Sequence, residues 1–396
     1  MLRFLTAGES HGPSLTVIVE GLPAGLAINQ EFIADELGRR RLGYGRGPRM
    51  RFERDELRLT GGIRHGRTLG SPVAIEILNS EWPKWELEMS AAPGAPSNKL
   101  TKPRPGHADL AGMQKYAFDD ARDVLERASA RETAARVAAG ALAKALLATI
   151  GIQVVSHVVR IGQVATPSGL RPKPGELNLV DENEVRCFDP ETAAAMILEI
   201  KAAAKEGDSL GGIVEVVAYG VPVGLGSYVH WDRKLDGLLA GALMSIQAVK
   251  AVEIGDGMVQ ASQRGSVAHD AIAVDDAFSQ GGGFIRRSDH AGGLEGGMTS
   301  GAPVIAKVAM KPLATLNRPV LETVDVATGE ATVSFKERTD VTAVPALGVV
   351  AEAMMALVLA AEAQRKFGGD SVEEFARNHE AYVTHLGSTA SHARND

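Results

Sequence analysis

The chain has 396 residues, 45% hydrophobic and 23% charged, which excludes a largely disordered or collagen-like protein. Forty-two Lys and Arg against forty-nine Asp and Glu give a formal charge of −7; coating nucleic acid would need a basic surplus. The single cysteine, Cys187, excludes an intramolecular disulfide and a cysteine zinc cage.

Taken in chain order, the opening MLRFLTAGESHG meets Gly8, Glu9 and His11 too early for a signal-peptide apolar region. No stretch approaches the ~18 uninterrupted apolar residues of a membrane span. A cytoplasmic enzyme with no membrane or nucleic-acid partner is therefore expected. LTVIVE at 15–20 reads as the first strand, and Asn29 caps a helix to Arg41. PVAIEIL at 72–78 is a second strand. The proline-rich stretch 90–105 forbids regular structure and runs into Gly106-His107-Ala108-Asp109, in the manner of an active-site flap. An alanine-rich helix over 132–149 stops at Gly151, and a strand follows at 154–161. Asp189-Pro190 opens a helix through Lys205, and IVEVVAY at 213–219 is a strand. A helix over 234–252, a strand at 303–310 and a helix over 346–365 complete the order. Several strands alternate apolar and polar residues, so the fold class is α+β, with antiparallel sheets and helices between or beside them. The chain reads as a single domain over 1–396, ending in a mobile tail over about 376–396.

Glycine is over-used and clustered, in GESHG (8–12), GYGRG (43–47), GGG (281–283) and GGLEGGMTSG (292–301). Tight turns and close backbone approach to a ligand are the usual reasons. RRRLGYGRGPRMRFER at 39–54 holds seven arginines, no lysine and one acid. A solvated basic loop is the plain interpretation. Interleaved glycines and the guanidinium fork, which binds carboxylate and phosphate bidentately, favour a small polyanionic ligand. Arg104, Arg122, Arg127, Arg131, Arg136, Arg286, Arg287, Arg318 and Arg338 extend that theme.

His11 and His107 each sit on a glycine-flanked turn that presents an imidazole for proton transfer. His65, His157, His230, His379, His385 and His392 have no motif around them. No HxxxH or HExxH spacing occurs, so no metal is expected. Ser129 reads as a helix N-cap with Glu132 three residues on, a capping box that would also place free amides beside Arg127 and Arg131. DHAGGLEGGMTSG at 289–301 reads as a backbone wall for a flat or phosphorylated ligand. Lys311-Pro312-Leu313-Ala314-Thr315 follows the next strand, and Arg338-Thr339-Asp340 adds a charged pair. GxSxG and Walker A are both absent, so chemistry falls to acid–base groups and a cofactor.

Together these motifs resemble the chorismate synthase family: GESHG (8–12), RRRLGYGRGPRM (39–50), GHADLAGMQKY (106–116), RASARETAARVAAG (127–140), HAGGLEGGMTSG (290–301) and KPLAT (311–315) run in order over nearly the whole chain. The resemblance implies a β-α-β sandwich, a homotetramer, and anti-1,4-elimination of phosphate from 5-enolpyruvylshikimate 3-phosphate to give chorismate, the last step of the shikimate pathway. That reaction requires reduced FMN without net redox change. It further implies that His11 protonates the departing phosphate, that His107 sits over the flavin and stabilises its anionic reduced form, and that Asp340 helps flavin N5 accept the substrate proton. Ser10, Arg40, Arg46, Arg49, Arg104, Ser129, Arg131 and Arg338 match substrate and phosphate contacts. Arg127, Ala128, Ser129, Gln247, Ala248, Gly296, Lys311, Pro312, Leu313, Ala314, Thr315 and Arg338 match flavin contacts. Arg40 and Arg46 could also meet NADPH in members that reduce their own flavin; an external flavin reductase is expected here. Two positions depart from the family pattern: Asp289, where Asn is frequent, and Thr342, near a frequent Cys. Two other readings compete. A flavin enzyme reducing another anion would consume NADPH with turnover, and a polyanion- or RNA-binding protein would tolerate His11→Ala and His107→Ala.

Overall fold

The computed structural model describes residues 2–46, 56–275, 277–334 and 339–392. Two antiparallel sheets organise them: the inner strands of the first bury alternate residues, and the central strands of the second are buried on both faces. The amino-terminal half supplies β1 (Arg3–Ala7), β2 (Ser14–Glu20), α1 (Gln30–Arg41), β3 (Glu56–Gly61) and β4 (Val73–Leu78). Their sheet runs β1-β2-β4-β3. Leu15, Val17 and Val19 of β2 and Val73, Ile75 and Ile77 of β4 face inward, as period-2 strands with one wet face require. Asn29 caps α1 by accepting from the Glu31 amide.

Next come α2 (Trp82–Trp85), α3 (Asp109–Tyr116), α4 (Arg122–Ala128) and α5 (Thr133–Ala148), then β5 (Gln153–Ile161), β6 (Val164–Ala165) and α6 (Pro190–Glu206). Asp189 caps α6, as its place before Pro190 led one to expect, and Gly207, at φ 76°, ends it. The remaining elements used here are β7 (Gly212–Tyr219), α7 (Leu235–Met244), β8 (Val249–Ile254), β9 (Val304–Met310), β10 (Glu322–Val324), β11 (Ala331–Val333), α8 (Val344–Phe367) and α9 (Val372–His392). The second sheet runs β8-β9-β7-β5-β6.

Helices α1 and α5 pack on the first sheet, α7 and α8 on the second, and α5 lies along α8. Gly140 of α5 brings that pair together: a Cβ there would lie 2.3 Å from Ala353 Cβ. The α5–α8 seam also holds a charged cluster. Glu352, fully buried on α8, accepts from Arg39 of α1 at 2.7 and 2.9 Å, from Lys144 of α5 at 2.6 Å and from Ser156 of β5 at 2.6 Å. Burial opposes its ionisation, but the charges of Arg39 and Lys144 outweigh that and hold the carboxyl far below the usual range. Among the described residues one helix, α8, is long and apolar enough to cross a membrane, yet most of its length is buried in the fold as a core helix.

Three expectations change. The helix expected over 234–252 is two elements, α7 and the strand β8, because Ala248 takes a left-handed backbone (φ 66°) that a helix cannot contain. The carboxy-terminal stretch expected as a tail is helical through His392; Phe375 meets Phe367 edge-on at 6.1 Å, and the Tyr382 hydroxyl donates to the Val223 carbonyl at 3.2 Å. The capping box is half made: the Ser129 hydroxyl accepts from the Arg131 amide, but Glu132 turns to Thr6, Arg136 and Gln247.

Candidate active site

A cavity of about 450 Å³ opens where the β1–β2 loop, the end of α1, the α4–α5 junction, the end of the proline-rich flap and the start of α8 meet. The β1–β2 loop presents Ser10 and His11. Gly8 makes that turn possible, at φ 99° and with the Ser14 carbonyl 2.4 Å from where a Cβ would stand. His11 Nδ1 lies 2.9 and 3.0 Å from the two oxygens of Glu126, whose Oε2 also accepts from the His11 amide at 2.8 Å. The His11 ring rests on Trp85 with centroids 4.0 Å apart.

His107 enters from the flap and is held the same way. Its Nδ1 bonds Asp109 at the start of α3, and Arg104 donates Nε to the other carboxylate oxygen at 2.8 Å. Burial pushes the Asp109 carboxyl up, but the hydrogen bonds from His107 and Arg104 and the Arg104 charge hold it far below its usual range. The segment after β9 anchors this loop: Thr315 accepts from Arg104 Nη1 at 3.1 Å, and Lys311 Nζ bonds the Gly106 carbonyl. His11 and His107 thus line one cavity from two different loops.

Four guanidinium groups line it, those of Arg40, Arg46, Arg104 and Arg131, against two carboxylates, Glu81 and Asp340, among the described residues. Arg46 Nε lies 3.0 Å from Asp340 Oδ2, and Arg40 Nη1 3.5 Å from Thr133 Oγ1. The amino end of α8 borders the same space and adds the positive end of its dipole, with the Thr342 hydroxyl accepting from the Val344 amide at 3.3 Å. Much of the remaining lining is apolar. Ala248, Ala314, Ala343 and Ala346 sit among Ile246, Leu313, Leu347 and Val350, with the polar ends of Gln247 and Thr315 at its edge. The four alanines leave room for a flat ring system, which tryptophan or leucine at those four positions would fill.

Most of the expected site residues converge here: Ser10, His11, Arg40, Arg46, Arg104, His107, Ser129, Arg131, Gln247, Ala248, Leu313, Ala314, Thr315 and Asp340. Arg127 instead lines an adjoining cavity of about 390 Å³ that shares Gln247, and its guanidinium donates to the Thr6 and Gly8 carbonyls at 2.9 and 3.1 Å. Ala128, Gly296, Lys311 and Pro312 are not in the lining; Gly296 occupies a turn near Tyr228. Arg49 and Arg338 lie outside the described residues. Asp289, one of the two departures, pairs with Arg171 at 3.0 Å on the second sheet's outer face. Sequence reasoning passed over Glu126, Trp85, Glu81 and Thr133. Glu126 had a usable signal, a carboxylate one helical turn after Arg122. Trp85 had none, because its meeting with His11 is purely tertiary. Among the described residues no three His, Cys, Asp or Glu side chains converge as metal ligands.

Comparison with known proteins agrees with the motifs. The family model described as chorismate synthase matches residues 2–363. The chorismate synthase of Salinispora tropica is 60% identical over 395 residues, covering 98% of this chain and 99% of its own length. That of Thermobifida fusca is 58% identical over 396 residues, with 98% and 99% covered. A crystal structure of a chorismate synthase superposes with a TM-score of 0.78 at 41% identity, over 98% of each chain.

Proposed function

The chain belongs to the chorismate synthase family, and we propose that it catalyses the anti-1,4-elimination of phosphate from 5-enolpyruvylshikimate 3-phosphate, with reduced FMN seated in the same cavity. The observation that carries this reading is the meeting of His11, His107 and four guanidinium groups in one space. A substrate with one phosphate and two carboxylates needs that surplus of positive charge in an otherwise acidic chain.

The apolar lining and its polar edge fit a flavin, which Gln247, Ala248, Leu313, Ala314 and Thr315 would hold. When bound, reduced FMN supplies electron density to the allylic system as the C–O bond breaks. The chain's own groups do the rest. Arg40, Arg46, Arg104 and Arg131 orient the anionic substrate and replace its water. His11 gives a proton to the leaving phosphate from the ring nitrogen that Glu126 does not hold. Asp340, with Arg46 Nε 3.0 Å from its carboxylate, assists the loss of the proton from the ring carbon. His107, fixed by Asp109, presents its imidazole to the same cavity.

We extend the proposal to a β-α-β sandwich assembled as a cytoplasmic homotetramer. The paired helix layers between the sheets support the first part. Exposed Tyr228, Val229 and Trp231, and Leu5 and Ile18 on the outer face of the first sheet, support the second. We further propose an external flavin reductase as the source of the reduced FMN. The deciding experiment is anaerobic phosphate release from 5-enolpyruvylshikimate 3-phosphate with photoreduced FMN. Phosphate and chorismate should appear in equal amounts with no net reductant consumed. Release that proceeds without reduced flavin, or no release at all, would refute it.

A further inference from the structure

His11 has three restraints, and one residue supplies two of them. Glu126 of α4 is buried, and both its oxygens lie within 3.0 Å of His11 Nδ1, while Oε2 also takes the His11 amide proton at 2.8 Å. The Glu126 carbonyl accepts from the Ser10 amide at 2.9 Å, so the whole turn 10–11 hangs on this residue. Arg122, one turn earlier on α4, donates Nη1 to Glu126 Oε1 at 3.1 Å and places its guanidinium carbon 5.1 Å from the Trp85 ring. Trp85 in turn supports the face of His11. No hydrogen bond reaches His11 Nε2 among the described residues.

An ionised carboxylate can only accept hydrogen bonds. Burial works against ionisation of Glu126, but the hydrogen bond from His11 and the Arg122 charge leave its carboxyl below the usual glutamate range. Nδ1 must therefore carry the proton of the neutral ring, which leaves Nε2 as the nitrogen that gains and gives the catalytic proton. The geometry points to Glu126 as a positioning residue for the elimination: it fixes the tautomer and the aim of His11, with Arg122 holding Glu126 and Trp85 holding the ring face. This rests on the function proposed above, with Glu126 acting only through His11.

The test combines two readouts on the full-length protein. Long-range 1H–15N correlation of the His11 ring, assigned with His11→Ala and recorded at alkaline pH, reads the tautomer without substrate or reduced flavin. The wild-type chain should show the proton on Nδ1, and Glu126→Gln should lose that preference, because the amide can donate as well as accept. In turnover, Glu126→Gln should lower kcat about a hundredfold with KM changed less than about threefold, as expected when a reacting group is misaimed. In a His11→Ala background the same substitution should change kcat little further. A wild-type ring protonated on Nε2 would overturn the assignment even if the variant fails to fold. So would an unaltered tautomer in Glu126→Gln, or an equal loss of kcat with and without His11. Absence of turnover in the wild type would refute the function while the ring measurement still judged Glu126.

Discussion

Gly140→Ala and Gly241→Ala make the same chemical change in two helices, and the structure assigns them opposite signs. At Gly140 the new methyl would lie 2.3 Å from Ala353 Cβ and 2.6 Å from its Cα. Carbon atoms rest at about 3.5–4.0 Å, so α5 and α8 must part by about 1.2 Å or more. Overpacking costs about 1–3 kcal/mol, and the high end applies because the obstacle is backbone with no rotamer to yield. Helix propensity returns about 1 kcal/mol, so a net loss near 2 kcal/mol is expected. Gly241 is exposed in α7 with nothing within 4 Å of its would-be Cβ, so alanine there should gain about 0.4–1 kcal/mol. Urea unfolding followed by far-ultraviolet circular dichroism measures both. Parted helices would also shift Ala346, Leu347 and Val350, so Gly140→Ala should weaken flavin binding. A Gly140→Ala midpoint at or above wild type would refute the close-approach reasoning.

Further outcomes follow from the site and the core. His11→Ala and His107→Ala should each lower turnover roughly ten- to a thousandfold, with flavin binding retained in the first; wild-type rates in both would remove the imidazoles from the chemistry. Cys187 is buried, and burial pushes its thiol up to about 11, so the native chain should resist thiol reagents at neutral pH and react once unfolded. Burial pushes Asp109, Glu126, Glu132 and Glu215 up, but their hydrogen bonds and neighbouring cations leave all four below their usual values. A depressed folded value means the stabilisation is complete above the usual glutamate value of 4.5 and drains as the pH falls through the folded values. The melting temperature should therefore drop steeply on acidification below about pH 4.5, and a flat profile would contradict these pairings.

What could be read in advance tracks how local each feature's cause is. Helix starts with chemical punctuation, Asn29 and Asp189-Pro190, fell where residue type put them. β1 and β3 passed unseen: Arg3–Ala7 and Glu56–Gly61 are short edge strands of the first sheet, each with a largely wet face. The merged helix over 234–252 failed at one residue, Ala248, whose left-handed backbone no alanine signals. At the site, histidines and glycines on turns announced themselves, since presentation is a local property. Asp109, two residues from His107, was legible with it, whereas Glu126 was not, because it lies 115 residues from His11.

Arginine shows why residue type alone misjudges a site. Arg39 and Arg40 are consecutive in α1, so they diverge by about 100° around the helix. Arg39 turns inward to Glu352, Glu36 and Asp181, in a cluster where Lys144 and Arg186 match the remaining carboxylate charge. Arg40 turns to the cavity. Arg104 and Arg122 each sit on the carboxylate that holds a site histidine, so a His–carboxylate–Arg arrangement is built twice, from unrelated loops. Each carboxylate draws positive charge from its histidine and arginine together, and burial raises what is lost if either leaves. The arginines therefore do not form a single anion-binding set: Arg39 and Arg122 serve the protein's own buried acids, Arg40 and Arg131 line the cavity, and Arg104 does both. Only a partner's position can tell the two apart, and helix phase supplies that position at 39 and 40.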